Sequence, residues 1–268
     1  MNRRAAAGLA AAGLVCWAAL AGGCSAPAAP PPSPGQPGKD VIWLPTPDSL
    51  VERMLDLARV TPADLVVDLG SGDGRTVIAA ARRGARALGI EFDPALVELS
   101  RRSAAGTKAT FVQGDIFESD FSEATVVTLF LLSSLNEKLR PRLLDMKPGT
   151  RIVSNTFRMG QWQPDAEAST GCGSFCTAYL WIVPAKVDGY WTSGASEIAF
   201  TQDFQRVLGT VKSGGASATI LDGRLRGAEI EFRVPGADYR GTVKGETIEG
   251  TVTTGGASSA WTAVRRRL

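Results

Sequence analysis

Three acids and a cluster of glycines carry the chemistry that can be read from this chain. Asp68 ends the short apolar run Leu65-Val66-Val67, and Gly70-Ser71-Gly72-Asp73-Gly74 follows before a helical pattern from Arg75 to Arg83. Glycines allow tight backbone geometry and close ligand approach, and the amides at a helix start favour an anionic group such as a carboxylate. Asp68, at a strand tip, is placed to hold a ligand ammonium group through the turn. Glu91 ends the next apolar run, residues 85–90, where an acid can accept both hydroxyls of a ribose. Asp115 follows a third run, residues 109–112, and suits the exocyclic amine of an adenine.

These residues need a strand, glycine turn and helix, then two further strands ending on the same side. That arrangement fits an amino-acid-bearing adenosine, and the ligand expected is S-adenosylmethionine. A nicotinamide-binding fingerprint, G-x-G-x-x-G, would require glycine where this chain has Arg75. A fourth strand is expected over Thr125 to Leu129 and a last one over Tyr179 to Val183, which makes residues 42–184 an α/β domain with a Rossmann-like doubly wound sheet. Beyond Pro184 the pattern changes to alternating runs, Glu197 to Phe204, Ala218 to Leu221, Glu229 to Val234 and Thr247 to Val252, separated by glycine-rich turns. Gly209-Thr210-Val211, Gly241-Thr242-Val243 and Gly250-Thr251-Val252 recur at unequal spacing. Residues 185–268 therefore read as a small antiparallel β domain, a meander or barrel, with docking or structural support as its role.

Composition removes several chemistries. The 268 residues include no histidine, which excludes serine-histidine triads, imidazole bases and histidine metal ligands. Only Cys172 and Cys176 lie in the body of the chain, and two thiolates cannot close a structural zinc site, so no metal is expected. Their spacing permits a disulfide or a pair of free thiols. A net charge of +2, from 29 basic and 27 acidic residues, gives no reason to expect a nucleic-acid partner.

The first 23 residues have the order of a secretory signal: Asn2-Arg3-Arg4, an apolar run from Ala5 to Ala21, then Gly22-Gly23. Leu20-Ala21-Gly22-Gly23-Cys24 resembles a bacterial lipobox, with the leucine one position further upstream than usual. Lipidation of Cys24 is expected, with a plain cleaved signal or an uncleaved anchor as the alternatives. Residues 24–41 are rich in proline, alanine, serine and glycine and read as a spacer. The protein is thus expected in the cell envelope, exported and lipid-anchored, touching the membrane through its N-terminus only. S-adenosylmethionine is made in the cytoplasm, so the two signals pull in opposite directions.

From Trp43-Leu44-Pro45-Thr46-Pro47, through Asp68 to Arg75, to Lys147-Pro148-Gly149-Thr150-Arg151-Ile152-Val153-Ser154, the chain resembles class I, seven-strand lysine methyltransferases of bacteria and mitochondria. The resemblance covers residues 41–185. It implies a cofactor site that includes Thr46, Asp68, Gly70, Gly72, Gly74, Glu91 and Asp115, and a protein lysine as acceptor. Two positions depart from the relatives: Phe130 stands where they tend to have tyrosine, and Asn155 where histidine is common. Phe130 and Asn155 are expected to line the acceptor channel, with Phe157 and Trp162 as further wall candidates, because aromatic faces attract a cationic amine. A methyltransferase for a small-molecule acceptor, or an exported nucleoside-fold binding protein without transfer activity, remain alternatives.

Overall fold

The computed structural model describes residues 33–36, 40 and 42–266. The expected signal segment and Cys24 lie outside the described residues. Among these, four helices and sixteen strands form two sheets within one compact unit.

The first sheet is built from β1 (Leu65–Leu69), β2 (Arg86–Glu91), β3 (Ala109–Gln113), β4 (Val126–Leu129), β5 (Arg151–Asn155), β6 (Ala166–Ser169) and β7 (Thr177–Ile182). Its order is β3-β2-β1-β4-β5-β7-β6, with the first five strands parallel and β7 antiparallel to both neighbours. The expected last strand is therefore an inner strand, and the edge is β6. Its sequence, Ala-Glu-Ala-Ser, lacks the branched residues that mark a strand, and pairing to β7 alone holds it extended.

Successive residues of a strand face opposite sides, and both sides of this sheet are apolar. Val66 and Val126 point to the layer formed by α1 (Asp48–Leu57), α2 (Arg75–Arg82) and α3 (Pro94–Ser103). Val67 and Val127 point to α4 (Ser133–Leu144) with Leu139 and Leu143. The start of α3 is set by Asp93, whose side chain accepts the Ala95 N–H at 2.8 Å, and by Pro94 in the first turn.

The second sheet contains β8 (Gly189–Ser193), β9 (Ser196–Asp203), β10 (Arg206–Ser213), β11 (Ala216–Thr219), β12 (Leu221–Arg226), β13 (Glu229–Val234), β14 (Ala237–Lys244), β15 (Thr247–Thr254) and β16 (Ala257–Arg265). Neighbours in sequence pair antiparallel except β11 and β12, which both pair with β10; β16 returns to β8 and β9 pairs with β10, so the sheet closes into a barrel with only the short β11 at an edge. The expected strand from Ala218 to Leu221 is two strands. Ile220 turns into the barrel core and donates its N–H to the Gly209 carbonyl at 2.9 Å, and pairing shifts between Leu221 and Arg224. The recurring glycines sit where strands approach too closely for a side chain. A Cβ on Gly209 would lie 1.8 Å from the Ala199 carbonyl oxygen, and one on Gly250 would lie 1.9 Å from that of Arg240. Trp191, Phe200, Phe232 and Trp261 fill the interior.

The barrel is fixed to the first sheet by several contacts of different kinds. Arg224 pairs with Asp165 at 2.8 Å, and the Gln205 amide donates to the Gln163 carbonyl at 2.8 Å. Phe204 stacks on Trp162, 5.9 Å between centroids and 10° between planes. Trp162, a candidate for the acceptor channel, is instead fully buried at this junction, where its ring stacks on Phe204 and meets the tilted ring of Trp181. Phe204→Ala should destabilise the protein by about 2 kcal/mol, the loss of a half-buried stacked ring. Urea unfolding measures this, and an unchanged midpoint would mean that the junction contributes nothing to stability.

Candidate active site

The parallel strands β1, β2 and β4 end at the same level, and the chain reverses direction across the sheet between β1 and β4. Ligands of open α/β sheets bind at such a switch point. Here a cavity lies over the strand ends and is lined by Thr46, Asp68, Gly70, Gly72, Glu91 and Asp115, together with Phe130 from the end of β4.

Asp68 is brought opposite Thr128 by the β1–β4 register, and the Thr128 hydroxyl donates to its carboxyl at 2.6 Å. Burial, opposed by this bond and assisted by the nearby charges of Glu91 and Asp73, pushes its pKa up to about 7. The turn that follows is tied to β2. Gly70 and Ser71 both donate to the Ile90 carbonyl, at 2.8 and 3.1 Å, and Gly72 donates to the Glu91 carboxylate at 2.9 Å. The other Glu91 oxygen accepts the Asp93 N–H at 3.0 Å. Burial raises the Glu91 pKa, and these backbone bonds counteract it. On the far side of the turn, the Ser100 hydroxyl of α3 donates to the Gly72 carbonyl at 2.8 Å.

Gly74 differs from its two neighbours in the motif. It does not line the cavity; a Cβ there would lie 2.6 Å from the Phe111 ring and 2.9 Å from the Ser100 Cβ, so its role is close packing of the turn on α3 and β3. Asp115 is held by its own loop, its carboxylate accepting the Phe117 N–H at 2.9 Å.

Thr46 is buried because Arg75 draws its segment onto the turn. The Arg75 guanidinium donates to the Thr46 carbonyl at 2.9 Å while gripping Asp73 through two nitrogens. This clamp explains why arginine, and not glycine, follows the turn. The same segment carries Trp43, whose indole nitrogen lies 2.4 Å from where a Gly72 side chain would begin. Trp43 is a part of the site that motif reading quoted without a role. Thr128, Ser100 and Phe111 were not visible in the sequence at all, because each meets the turn only through strand register or helix packing.

Asn155 does not line the channel. It is fully buried beneath Thr46 and donates to the Thr46 hydroxyl at 3.3 Å, while its own carbonyl accepts the Thr156 hydroxyl at 2.8 Å. The end of β5 turns sharply here: Thr156, a β-branched residue, has φ 61, and the strain aims Phe157 at Phe130, 6.1 Å between centroids. A second, apolar cavity begins at these rings. It is lined by Ile42, Leu44, Phe130, Leu132, Phe157 and Phe175, of which Ile42, Leu44 and Phe130 also line the first cavity. Phe175 belongs to the loop between β6 and β7, which is closed by a Cys172–Cys176 disulfide.

Residues 68–166 match the family model described as the ANTKMT methyltransferase domain. A protein-lysine N-methyltransferase of Saccharolobus islandicus is 41% identical over 152 residues, which cover 53% of this chain and 94% of the relative. The chain belongs to this family of class I methyltransferases. An RNA methyltransferase structure from Salinibacter ruber, in complex with S-adenosyl-L-homocysteine, is 51% identical with a TM-score of 0.51, covering 54% of this chain and 96% of that one. Mouse adenine nucleotide translocase lysine N-methyltransferase is 36% identical over 45% of this chain and 55% of the relative, so the chain spans about half the length of that mammalian enzyme. The methyltransferase is an S-adenosylmethionine-dependent enzyme. Its site fits that cofactor: the buried Asp68 carboxyl has no countercharge among the described residues and suits an ammonium, and the glycine turn presents backbone to the cavity.

With Asp68 at the expected ammonium position, binding of this cofactor is expected to depend on pH. In the free protein its pKa of about 7 favours the neutral carboxyl, whereas a bound ammonium selects the carboxylate. Affinity should therefore level off above pH 7 and fall below it, by up to about tenfold per pH unit. For the free protein the sign is opposite: the neutral form's contribution to stability is greatest at acid pH and is lost as pH rises through about 7. Calorimetric titration across pH 5–8 measures the first effect. Asp68→Asn should bind weakly with a flat profile, and a flat profile for the unaltered protein would remove Asp68 from the ammonium site.

Proposed function

We propose that this methyltransferase modifies lysine side chains of a protein in the cell envelope, to which it is tethered through a lipidated Cys24. The observation that carries the acceptor reading is the second cavity. Its lining among the described residues is apolar, and it shares Ile42, Leu44 and Phe130 with the cofactor cavity. A hydroxyl acceptor needs its proton removed during attack, and among the described residues no acid, histidine or tyrosine lines this cavity. An amine can arrive neutral, because an apolar wall dehydrates it and lowers its pKa. Phe130 and Leu132 supply part of that wall, so contact with apolar surface replaces a base.

Bound S-adenosylmethionine supplies an electrophilic methyl group on a sulfonium. The chain's part would be to hold and orient: Asp68 would take the ammonium, the glycine turn at Gly70 and Gly72 would let the ligand approach the backbone closely, Glu91 would take the ribose hydroxyls and Asp115 the adenine amine, while Thr46 and Gly74 support the turn. The names of the Saccharolobus and mouse relatives support a lysine acceptor. The Salinibacter structure favours RNA as a second reading, against which stand the apolar cavity and a net charge of only +2.

Incubation with methyl-labelled cofactor, separately with envelope proteins and with total RNA, followed by mass spectrometry, tests the acceptor. Label on protein lysine is expected; label on RNA, or on carboxylates or small molecules alone, overturns the lysine reading. The envelope assignment rests on the order of charged, apolar and small residues before Cys24 and is supported by the disulfide, which belongs to oxidising compartments. Among the described residues no helix is long and apolar enough to cross a membrane. The mature chain should begin at Cys24 and fractionate with membranes, and Cys24→Ser should release it or block its processing. An intact mass that retains Met1 on a cytosolic protein would contradict this.

A further inference from the structure

Three phenylalanines from three separate segments meet at the mouth of the second cavity. Phe130 follows β4, Phe157 follows β5, and Phe175 sits in the loop between β6 and β7. Their centroids are 6.1 Å apart for Phe130–Phe157, 5.6 Å for Phe130–Phe175 and 6.1 Å for Phe157–Phe175. The planes are inclined to one another by 26°, 60° and 38°, so the rings do not form a single stack but surround a space.

Several features set Phe175 apart from an ordinary core ring. It is 38% exposed, its backbone is left-handed at φ 59, and it lies one residue before a disulfide-bonded cysteine. A bulky residue in this conformation is costly and persists only where the surroundings impose it. The surroundings here are explicit. Cys172 and Cys176 are joined, Thr170 donates its N–H to the Cys176 carbonyl at 2.9 Å, and the Ser169 hydroxyl donates to the same carbonyl at 3.0 Å. The loop is thus closed at its base, and Phe175 projects from it onto Phe130. Ile42, Leu44 and Leu132 complete the mouth and are likewise exposed, a cluster that water disfavours unless something covers it.

We propose that Phe175 is a specificity-determining residue, the third wall of an aromatic cage for the acceptor's alkylammonium group, and that the Cys172–Cys176 disulfide is its positioning device. The inference rests on the lysine reading above. Ring faces attract an ammonium, most strongly one whose methyl groups have thinned its hydration, while the absence of a charged wall keeps the neutral amine available for attack. The cavity shares Ile42, Leu44 and Phe130 with the cofactor cavity, so its occupant lies beside the bound cofactor, where the group that accepts the methyl belongs. An opened loop would leave Phe175 free to swing into solvent and would dismantle the cage without touching the cofactor residues.

The test is calorimetric, on the full mature protein saturated with S-adenosyl-L-homocysteine. The probe is Nα-acetyl-Nε-trimethyl-lysine amide, and its neutral tert-butyl isostere is the control. The cation should bind more tightly than the isostere. Phe175→Ala should weaken cation binding by about tenfold and leave S-adenosyl-L-homocysteine affinity unchanged; Phe175→Tyr should restore it. The Cys172→Ser/Cys176→Ser pair should weaken binding to a similar extent, and adding it to Phe175→Ala should bring no further loss, because the disulfide acts only through that ring. No binding of the cation, equal binding of the isostere, or wild-type affinity in Phe175→Ala would overturn the cage. A further loss in the triple variant would overturn the positioning role. These readouts are independent of methyl transfer: a Phe175-dependent ammonium site with label found off lysine would sink the acceptor reading alone, whereas label on lysine with no effect of Phe175→Ala would sink the cage alone.

Discussion

A carboxylate at the tip of β2 accepts the backbone N–H of Gly72 at 2.9 Å, and the remainder of the site depends on that bond. It joins the ends of two adjacent strands, so lifting the glycine turn from the sheet would take a backbone donor from a buried Glu91 oxygen. Ser100 holds the other side of the same turn, through the Gly72 carbonyl. With the turn fixed, Asp68 is confined between it and Thr128, and α2 begins at Gly74 with its first turn directed at the cavity. The three strands end level because their pairing is parallel and in register, which is also what brings the acids together.

The segment before α1 turns this platform into a pocket. Trp43, Pro45 and Thr46 lie over the glycine turn, secured by Arg75 from above and by Asn155 from below. Asn155 thereby acts through Thr46 and not on an acceptor. The electrostatics follow the same economy. Asp68 has burial against it and a single hydroxyl in its favour, so it stays near its titration point until a cation arrives. The second cavity has no titratable lining among the described residues, so shape and ring faces are what it offers a ligand.

Strain is concentrated around the second cavity. Thr156 and Phe175 both have left-handed backbone, and each places a ring of the aromatic cluster. The first is imposed by the end of β5, where Thr156 donates its N–H to the Thr177 carbonyl at 2.6 Å, and the second by the disulfide loop. The barrel stands away from this chemistry. It buttresses the sheet through Trp162 and Phe204, at the face opposite the helices α1 to α3.

The sequence by itself determined the cofactor side. The glycine spacing, the acid before it and the acids ending the next two apolar runs are local signals, because each strand and its following turn are contiguous in the chain. It also determined that a β domain follows Pro184, since alternation is a local pattern. Tertiary structure alone decided the rest. Barrel closure is a pairing between β16 and β8, remote in sequence, and the edge strand β6 exists only because β7 pairs with it. Tertiary packing moved Trp162 to the barrel junction and Asn155 beneath Thr46, although both lie near the channel in sequence. Phe175 escaped sequence reading for the opposite reason: it lies far along the chain from Phe130, and only the antiparallel return of β7 beside β5 brings its loop back to the ends of the parallel strands.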